Sequence, residues 1–224
     1  MAERILILGG TKEAAELAMK LVAEHGDEAV TTSLAGRTKE PKPVAGQVRI
    51  GGFGGAEGLA KYLTQNGITK LIDATHPFAK TISANAKRAA DMTGVPIETR
   101  ERPPWERQVG DQWIEVTSLG DAIQFIPDGA RVLLAIGAQH IGEFSGMADA
   151  TLLARTVDPP RPGRHSFIDH WIIGRPSENW RDEAELFVKH QITHIVCRNS
   201  GGTGAYAKIE AARELGLPVI IVRR

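Results

Sequence analysis

The chain has 224 residues and sets 27 acidic side chains against 27 basic ones. That length holds one large or two small α/β domains, and the charge balance excludes a global field aimed at nucleic acid or a membrane surface. A single cysteine, Cys197, excludes an internal disulfide and a thiol pair for redox or metal work.

The chain opens on Met1-Ala2-Glu3-Arg4 and runs straight into Ile5-Leu6-Ile7-Leu8, a short unalternating run expected of a doubly buried strand. No secretory signal and no membrane span is read, so the expectation is a soluble cytoplasmic protein. Gly9-Gly10-Thr11 follows, then a helix with Ala14, Leu17, Ala18, Leu21 and Val22 on one face. A second strand is predicted from Ala29 to Leu34 and a short one near Val48-Arg49-Ile50. Gly51-Gly52-Phe53-Gly54-Gly55 then opens a helix carrying Leu59, Ala60, Tyr62 and Leu63. A strand at Leu71-Ile72, a helix from about Ala79 to Thr93 and a strand at Val95-Pro96-Ile97 come next.

From Arg100 to Gly129 the pattern loosens, with one short helix near Leu119 to Phe125. Pro127-Asp128-Gly129 is a turn signal and marks the expected domain boundary. Strands are then predicted at Val132–Ile136, Thr151–Arg155, Trp171–Gly174, Ile195–Cys197 and Val219–Val222. Helices are predicted from Asn179 to His190 and from Ala205 to Leu215, and the Cys197 thiol reads as core.

Alternating strands and helices predict an α/β protein with parallel sheets flanked by helices. An internal echo pairs Gly94-Val95-Pro96-Ile97 with Gly216-Leu217-Pro218-Val219, and Gly-Gly-Thr occurs at 9–11 and 201–203. The expectation is therefore two Rossmann-like lobes with a cleft between them, residues 1–127 and 128–224, with terminal strands free to cross between lobes.

Five segments carry candidate chemistry. Gly9, Gly10 and Thr11 sit at the first strand-to-helix turn, where bare backbone and helix N–H groups suit a phosphate; an ordinary tight turn is the alternative. No full G-x-G-x-x-G fingerprint is present. The second strand ends in Ser33, followed by Arg37, Thr38 and Lys39 with no acid before Glu40. Cations in place of a ribose-binding acid favour NADPH over NADH, against the plainer reading of a solvated basic loop. Gly52, Phe53 and Gly54 form a glycine-dense segment expected beside cofactor or substrate, or acting as a hinge.

Asp73-Ala74-Thr75-His76-Pro77-Phe78-Ala79 places an acid, a hydroxyl and an imidazole where a strand gives way to a helix. Pro77 is expected in the first helical turn, with Thr75 or His76 capping it. The competing reading is local turn chemistry. Late in the chain, Arg198, Asn199, Ser200, Gly201, Gly202 and Lys208 gather cations, amides and hydroxyls at another such edge, an anion cradle in chemical type. The histidines lack ligand spacing, so no metal is expected, and no serine sits in a nucleophile elbow.

Taken together these segments resemble the precorrin-6A reductase family of corrin-ring biosynthesis. The likeness rests on Ile7-Leu8-Gly9-Gly10-Thr11 with Glu13-Ala14, Ser33-Leu34-Ala35-Gly36-Arg37, Gly51-Gly52-Phe53-Gly54 and Asp73-Ala74-Thr75-His76-Pro77-Phe78-Ala79. Arg102-Pro103 with Trp105 and Asn199-Ser200-Gly201-Gly202 with Lys208 complete it. Where the family pattern has a Gly-Pro-Phe-like element, this chain has Arg175-Pro176-Ser177-Glu178-Asn179, and that loop receives no role.

The resemblance implies NADPH-dependent reduction of one double bond of precorrin-6A to precorrin-6B in cobalamin biosynthesis, with a cobalt-bearing ring as the alternative substrate. A dinucleotide-binding domain without chemistry is the alternative from another class. It implies cofactor contacts from Gly9, Gly10, Thr11, Ser33, Arg37, Thr38, Lys39, Gly52, Phe53 and Gly54. Ring contacts would come from Thr75, His76, Arg102, Arg198, Asn199, Ser200, Gly201, Gly202 and Lys208, with Arg100 a further candidate. His76 is the expected proton donor with Asp73 beside it, and a monomer acting on a small-molecule tetrapyrrole is expected.

Overall fold

The computed structural model describes residues 3–36, 38 and 40–224. It divides into two units, the first ending at Arg102 and the second running from Pro103 to Arg224.

In the first unit, strands β1 (Ile5–Leu8), β2 (Val30–Leu34), β3 (Gln47–Ile50), β4 (Lys70–Asp73) and β5 (Ile97–Thr99) form one parallel sheet in the order β3-β2-β1-β4-β5. Helices α1 (Lys12–His25), α2 (Ala56–Gln65) and α3 (Lys80–Thr93) cover it. The strand β1 is central and its four residues are almost wholly buried, which is why it carries no polar alternation. Leu6 and Leu8 pack with α2 and α3 on one face, while Ile5 and Ile7 pack with α1 on the other. Period-two alternation along β1 therefore feeds two apolar layers at once.

The second unit holds β6 (Gln112–Val116), α4 (Leu119–Ile123), β7 (Arg131–Ala135), β8 (Thr151–Thr156), β9 (His170–Ile173), α5 (Trp180–Lys189), β10 (His194–Arg198), α6 (Ala207–Glu214) and β11 (Pro218–Val222). Its six parallel strands run β6-β11-β10-β7-β8-β9. Trp105, Trp113, Phe187 and Ile209 share a core with Cys197. Burial raises the Cys197 thiol above its usual pKa, as a core thiol requires.

Two parallel sheets flanked by helices match the expected α/β class. The echo also has a structural counterpart. Gly94 and Gly216 both adopt left-handed backbone (φ 72° and 64°) just after a helix, and each leads into a strand.

Three expectations are corrected. The boundary at Pro127 falls inside the second unit, because β6 pairs in register with β11 from Gln112↔Pro218 to Val116↔Val222. Pro77 lies before α3, not in its first turn: the helix starts at Lys80, and Ala79 N donates to His76 O in a preceding turn. Neither Thr75 nor His76 caps that helix, whose N-cap position is Ala79. No described helix is long and apolar enough to cross a membrane.

Candidate active site

In the first sheet, β1 leads through α1 to β2 on one side while β4 and β5 lie on the other. The C-terminal ends of β1 and β4 thus flank the point where strand order reverses, the crevice where open α/β sheets bind ligands. Leu8 and Asp73 are register partners there. Thr11 joins the two strands' exits: its Oγ1 accepts from Ala14 N at 3.0 Å, capping α1, and donates to Ala74 O at 3.1 Å. Ala74 N donates in turn to Leu8 O at 3.0 Å.

Gly9 N donates to Ser33 O at 2.9 Å, drawing the first turn onto the end of β2. A Cβ on Gly9 would stand 2.8 Å from Thr32 Cγ2, so the contact needs glycine. Gly10, Gly51, Gly52 and Gly54 have no described atom within 4 Å of where a Cβ would stand, so their backbone faces open space. Gly9, Ser33, Gly51, Gly52, Phe53, Gly54, Gly55 and Thr75 are among the residues around a pocket of about 190 Å³. The helix α2 begins at this loop, and no described side chain caps its first turn. Bare backbone beside the N–H groups of a helix start is chemistry that suits an anion such as phosphate. Thr38 follows β2 in the loop; Arg37 and Lys39 lie outside the described residues.

Two residues that shape this loop were not singled out from the sequence. The Arg49 guanidinium donates to the carbonyls of Gly51 and Gly52 and lies 3.9 Å from the Phe53 ring centroid. Phe53 meets Tyr62 of α2 edge-on at 5.1 Å. A Cβ on Gly58 would overlap Phe53 O at 1.8 Å, so α2 accepts the loop at that position by lacking a side chain. An arginine at a strand end and a glycine in a helix were the available signals.

Asp73 is buried, and its Oδ1 accepts from Thr75 N at 3.1 Å and from Thr75 Oγ1 at 2.7 Å. It therefore orients Thr75, which lines two neighbouring pockets. His76 is half-buried, and its Nδ1 accepts from Phe78 N at 3.3 Å. In the neutral ring that bond leaves the proton on Nε2. The second pocket is lined by Thr11, Glu13, Thr75, Arg100 and Arg102, among others. Arg102 pairs with Glu13, and Arg100 pairs with Glu98, whose carboxyl is held below its usual pKa, first by its hydrogen bond with Lys70.

In the second unit the late cluster is brought together but divides in role. Asn199 Oδ1 accepts from Trp105 N at 2.7 Å and its Nδ2 donates to Trp105 O at 2.9 Å, so the amide clasps one residue's backbone. Trp105 Nε1 donates to Gly202 O at 2.7 Å. Lys208 is buried, donates to Ala205 O at 2.6 Å and sits 4.6 Å from the Trp105 ring; burial lowers its pKa. A Cβ on Gly201 would stand 2.1 Å from Pro103 O. Asn199, Gly201, Gly202 and Lys208 thus hold the Trp105 segment against the β10–α6 turn. Arg198 and Ser200 are half-buried at the end of β10. Arg198 Nη1 donates to His140 Nε2 at 3.1 Å. The Arg175–Asn179 loop caps α5: Asn179 Oδ1 accepts from Arg181 N, and Ser177 N donates to Glu183 Oε1.

Residues 4–224 match the model of the family described as precorrin-6x reductase CbiJ/CobK. The chain is 47% identical to a precorrin-6A reductase of Rhodobacter capsulatus, over 99% of this chain and 88% of the relative. A cobalt-precorrin-6A reductase of Salmonella typhimurium is 28% identical over 98% of this chain and 87% of its own length. A solved structure described as CobK precorrin-6A reductase superposes with a TM-score of 0.94 at 46% identity, covering 99% of this chain and 88% of that one. On these matches, and with both sheets and their glycine turns in place, the chain belongs to the precorrin-6x reductase CbiJ/CobK family of oxidoreductases.

Proposed function

We propose that this chain reduces one double bond of precorrin-6A, with NADPH as the hydride source, to give precorrin-6B in cobalamin biosynthesis. The observation that carries the reading is the crevice at the β1/β4 reversal. There Gly10, Gly51, Gly52 and Gly54 present bare backbone, and Gly9, Ser33, Gly51–Gly55 and Thr75 line one pocket.

A bound nicotinamide nucleotide would supply a hydride, leaving the protein to orient the reactants and provide a proton. The glycine turns and the open start of α2 would hold phosphate and ribose. Arg37, Thr38 and Lys39 would meet a 2′-phosphate, which favours NADPH over NADH. His76 would give a proton to the reduced ring from its imidazolium form, in which Nδ1 carries a hydrogen and no longer accepts from Phe78 N, and Asp73 would act by fixing Thr75. Ring carboxylates would be met by Arg198 and Ser200, with Arg100 and Arg102 serving the first unit's pocket.

The metal-free ring is favoured over the cobalt-bearing one by the higher identity to the precorrin-6A reductase relative. The test is NADPH consumption with each ring, repeated with NADH. Turnover with the metal-free ring and NADPH supports the assignment. Turnover confined to the cobalt ring transfers it to the alternative substrate, and none with either ring in folded protein rejects it.

A further inference from the structure

The second sheet has its own reversal point. From β10 the chain passes through α6 to β11 on one side, whereas β7 is followed by β8 and β9 on the other. The C-terminal ends of β7 and β10 therefore flank the second unit's ligand-binding edge. Arg198 ends β10, and His140 lies in the turn just after β7. The bond from Arg198 Nη1 to His140 Nε2, 3.1 Å, spans that edge.

The chemistry of the two groups assigns the proton. A guanidinium only donates, so Nε2 must accept and Nδ1 must carry the hydrogen. The Nδ1 atom stands 3.2 Å from Glu143 Oε1, an acceptor suited to that hydrogen. Glu143 thus selects the tautomer that His140 needs to receive Arg198.

His140 precedes, and Glu143 belongs to, a single 3-10 turn, Ile141–Phe144, whose Ile141 and Phe144 side chains are completely buried. Arg198 is flanked by the buried Cys197 and Asn199. Both ends of the bond thus stand beside packed residues, while Glu143 itself is exposed.

We propose that His140, oriented by Glu143, is a positioning residue that holds the Arg198 guanidinium in one orientation to receive a carboxylate of the tetrapyrrole. The inference rests on the reading of Arg198 as a ring contact. It adds a function for a histidine that no spacing in the sequence marks.

The experiment is steady-state kinetics with precorrin-6A and NADPH on Arg198→Ala, His140→Ala, His140→Gln, Glu143→Ala and the Arg198→Ala/His140→Ala pair. A hydrogen bond to a charged group of this kind predicts about a tenfold rise in KM for the ring in His140→Ala, with kcat and KM for NADPH within about twofold. Glutamine carries an acceptor and a donor on one amide, so His140→Gln should return ring KM to within about threefold of the parent. Glu143→Ala should give a smaller rise of the same kind. The double variant should be no worse than Arg198→Ala alone, since His140 acts through Arg198.

An unchanged ring KM in His140→Ala beside a raised one in Arg198→Ala overturns the proposal and leaves the Arg198 reading intact. Additive losses in the double variant overturn it as well. If Arg198→Ala itself leaves ring KM unchanged, both the Arg198 reading and the role of His140 fall.

Discussion

Thr11 and Ala74, 63 residues apart, are joined by a hydrogen bond of 3.1 Å from the Thr11 hydroxyl to the Ala74 carbonyl. The same hydroxyl caps α1. One side chain therefore ties the first glycine turn to the Asp73–His76 segment. Replacing Thr11 with Ala removes both bonds and is expected to lower unfolding stability by about 1–2 kcal/mol. It should also raise KM for NADPH more than KM for the ring. Urea unfolding and initial rates measure the two effects separately.

Gly58 offers a sharper test of the cofactor loop. A methyl at this helical position would meet Phe53 O at 1.8 Å, and a backbone carbonyl yields only by moving the loop. Helix propensity alone would favour Gly58→Ala, since alanine is the better helix former. The expectation runs the other way: KM for NADPH rises at least about tenfold, by analogy with the loss of one good hydrogen-bonded contact set. An unaltered KM would show that the Gly51–Gly55 loop does not hold the cofactor.

His76 is expected to act in the chemical step. His76→Gln removes the transferable proton while keeping a polar group of similar length. The account predicts a fall in kcat of about 100-fold, the lower range for a lost general acid, with little change in either KM. Single-turnover kinetics separate this effect from product release.

The second unit holds a buried ion pair, Arg155 Nη1 to Glu183 Oε2 at 2.6 Å, with side chains 7% and 3% exposed. Removing one partner strands the other in the core. Glu183→Ala should cost roughly 3–5 kcal/mol, whereas Arg155→Met with Glu183→Leu should recover most of the loss. Denaturant unfolding of the two variants and the parent checks this, with circular dichroism confirming a folded starting state.

Acid sensitivity follows from three histidines of the second unit. His165, His190 and His194 are each held below the ordinary value of 6.5, first of all by desolvation. Folding therefore favours their neutral form, and the unfolded chain binds more protons between the lowered values and 6.5. Their contribution is present above that window and is lost as pH falls through it. Unfolding midpoints measured from pH 7.5 down to 5 should decline, and His194→Gln should make the decline shallower.

Most of the fold was legible because central strands such as β1, β7, β10 and β11 are short, largely apolar runs, as doubly buried parallel strands must be. The exception, β6, reads Gln-Trp-Ile-Glu-Val at the edge of its sheet, with mixed polarity and no flanking helix pattern before it. Missing it moved the expected boundary from Arg102 to Pro127. Its partner is β11, at the far end of the chain, and no local pattern carries that pairing.

The candidate site was legible as segments and not as directions. Glycine turns and the Asp73–His76 run announce themselves by residue type. Whether a cation faces solvent or core does not: Lys208 shares its loop region with Arg198, yet the first is enclosed against Trp105 and the second is half-buried at a strand end. Arg49 was read as part of a strand, though its guanidinium organises the glycine loop beyond it. His140 was invisible because its partner lies 58 residues away.

The central claim is direct hydride transfer from a nicotinamide to the ring. The measurement is turnover of metal-free precorrin-6A with NADPH deuterated at the transferring position of C4, followed by mass analysis of the product. The account predicts one deuterium on a ring carbon of each product molecule, with NADPH consumed in equal amount. Product without deuterium, or NADPH bound yet never consumed, would contradict it.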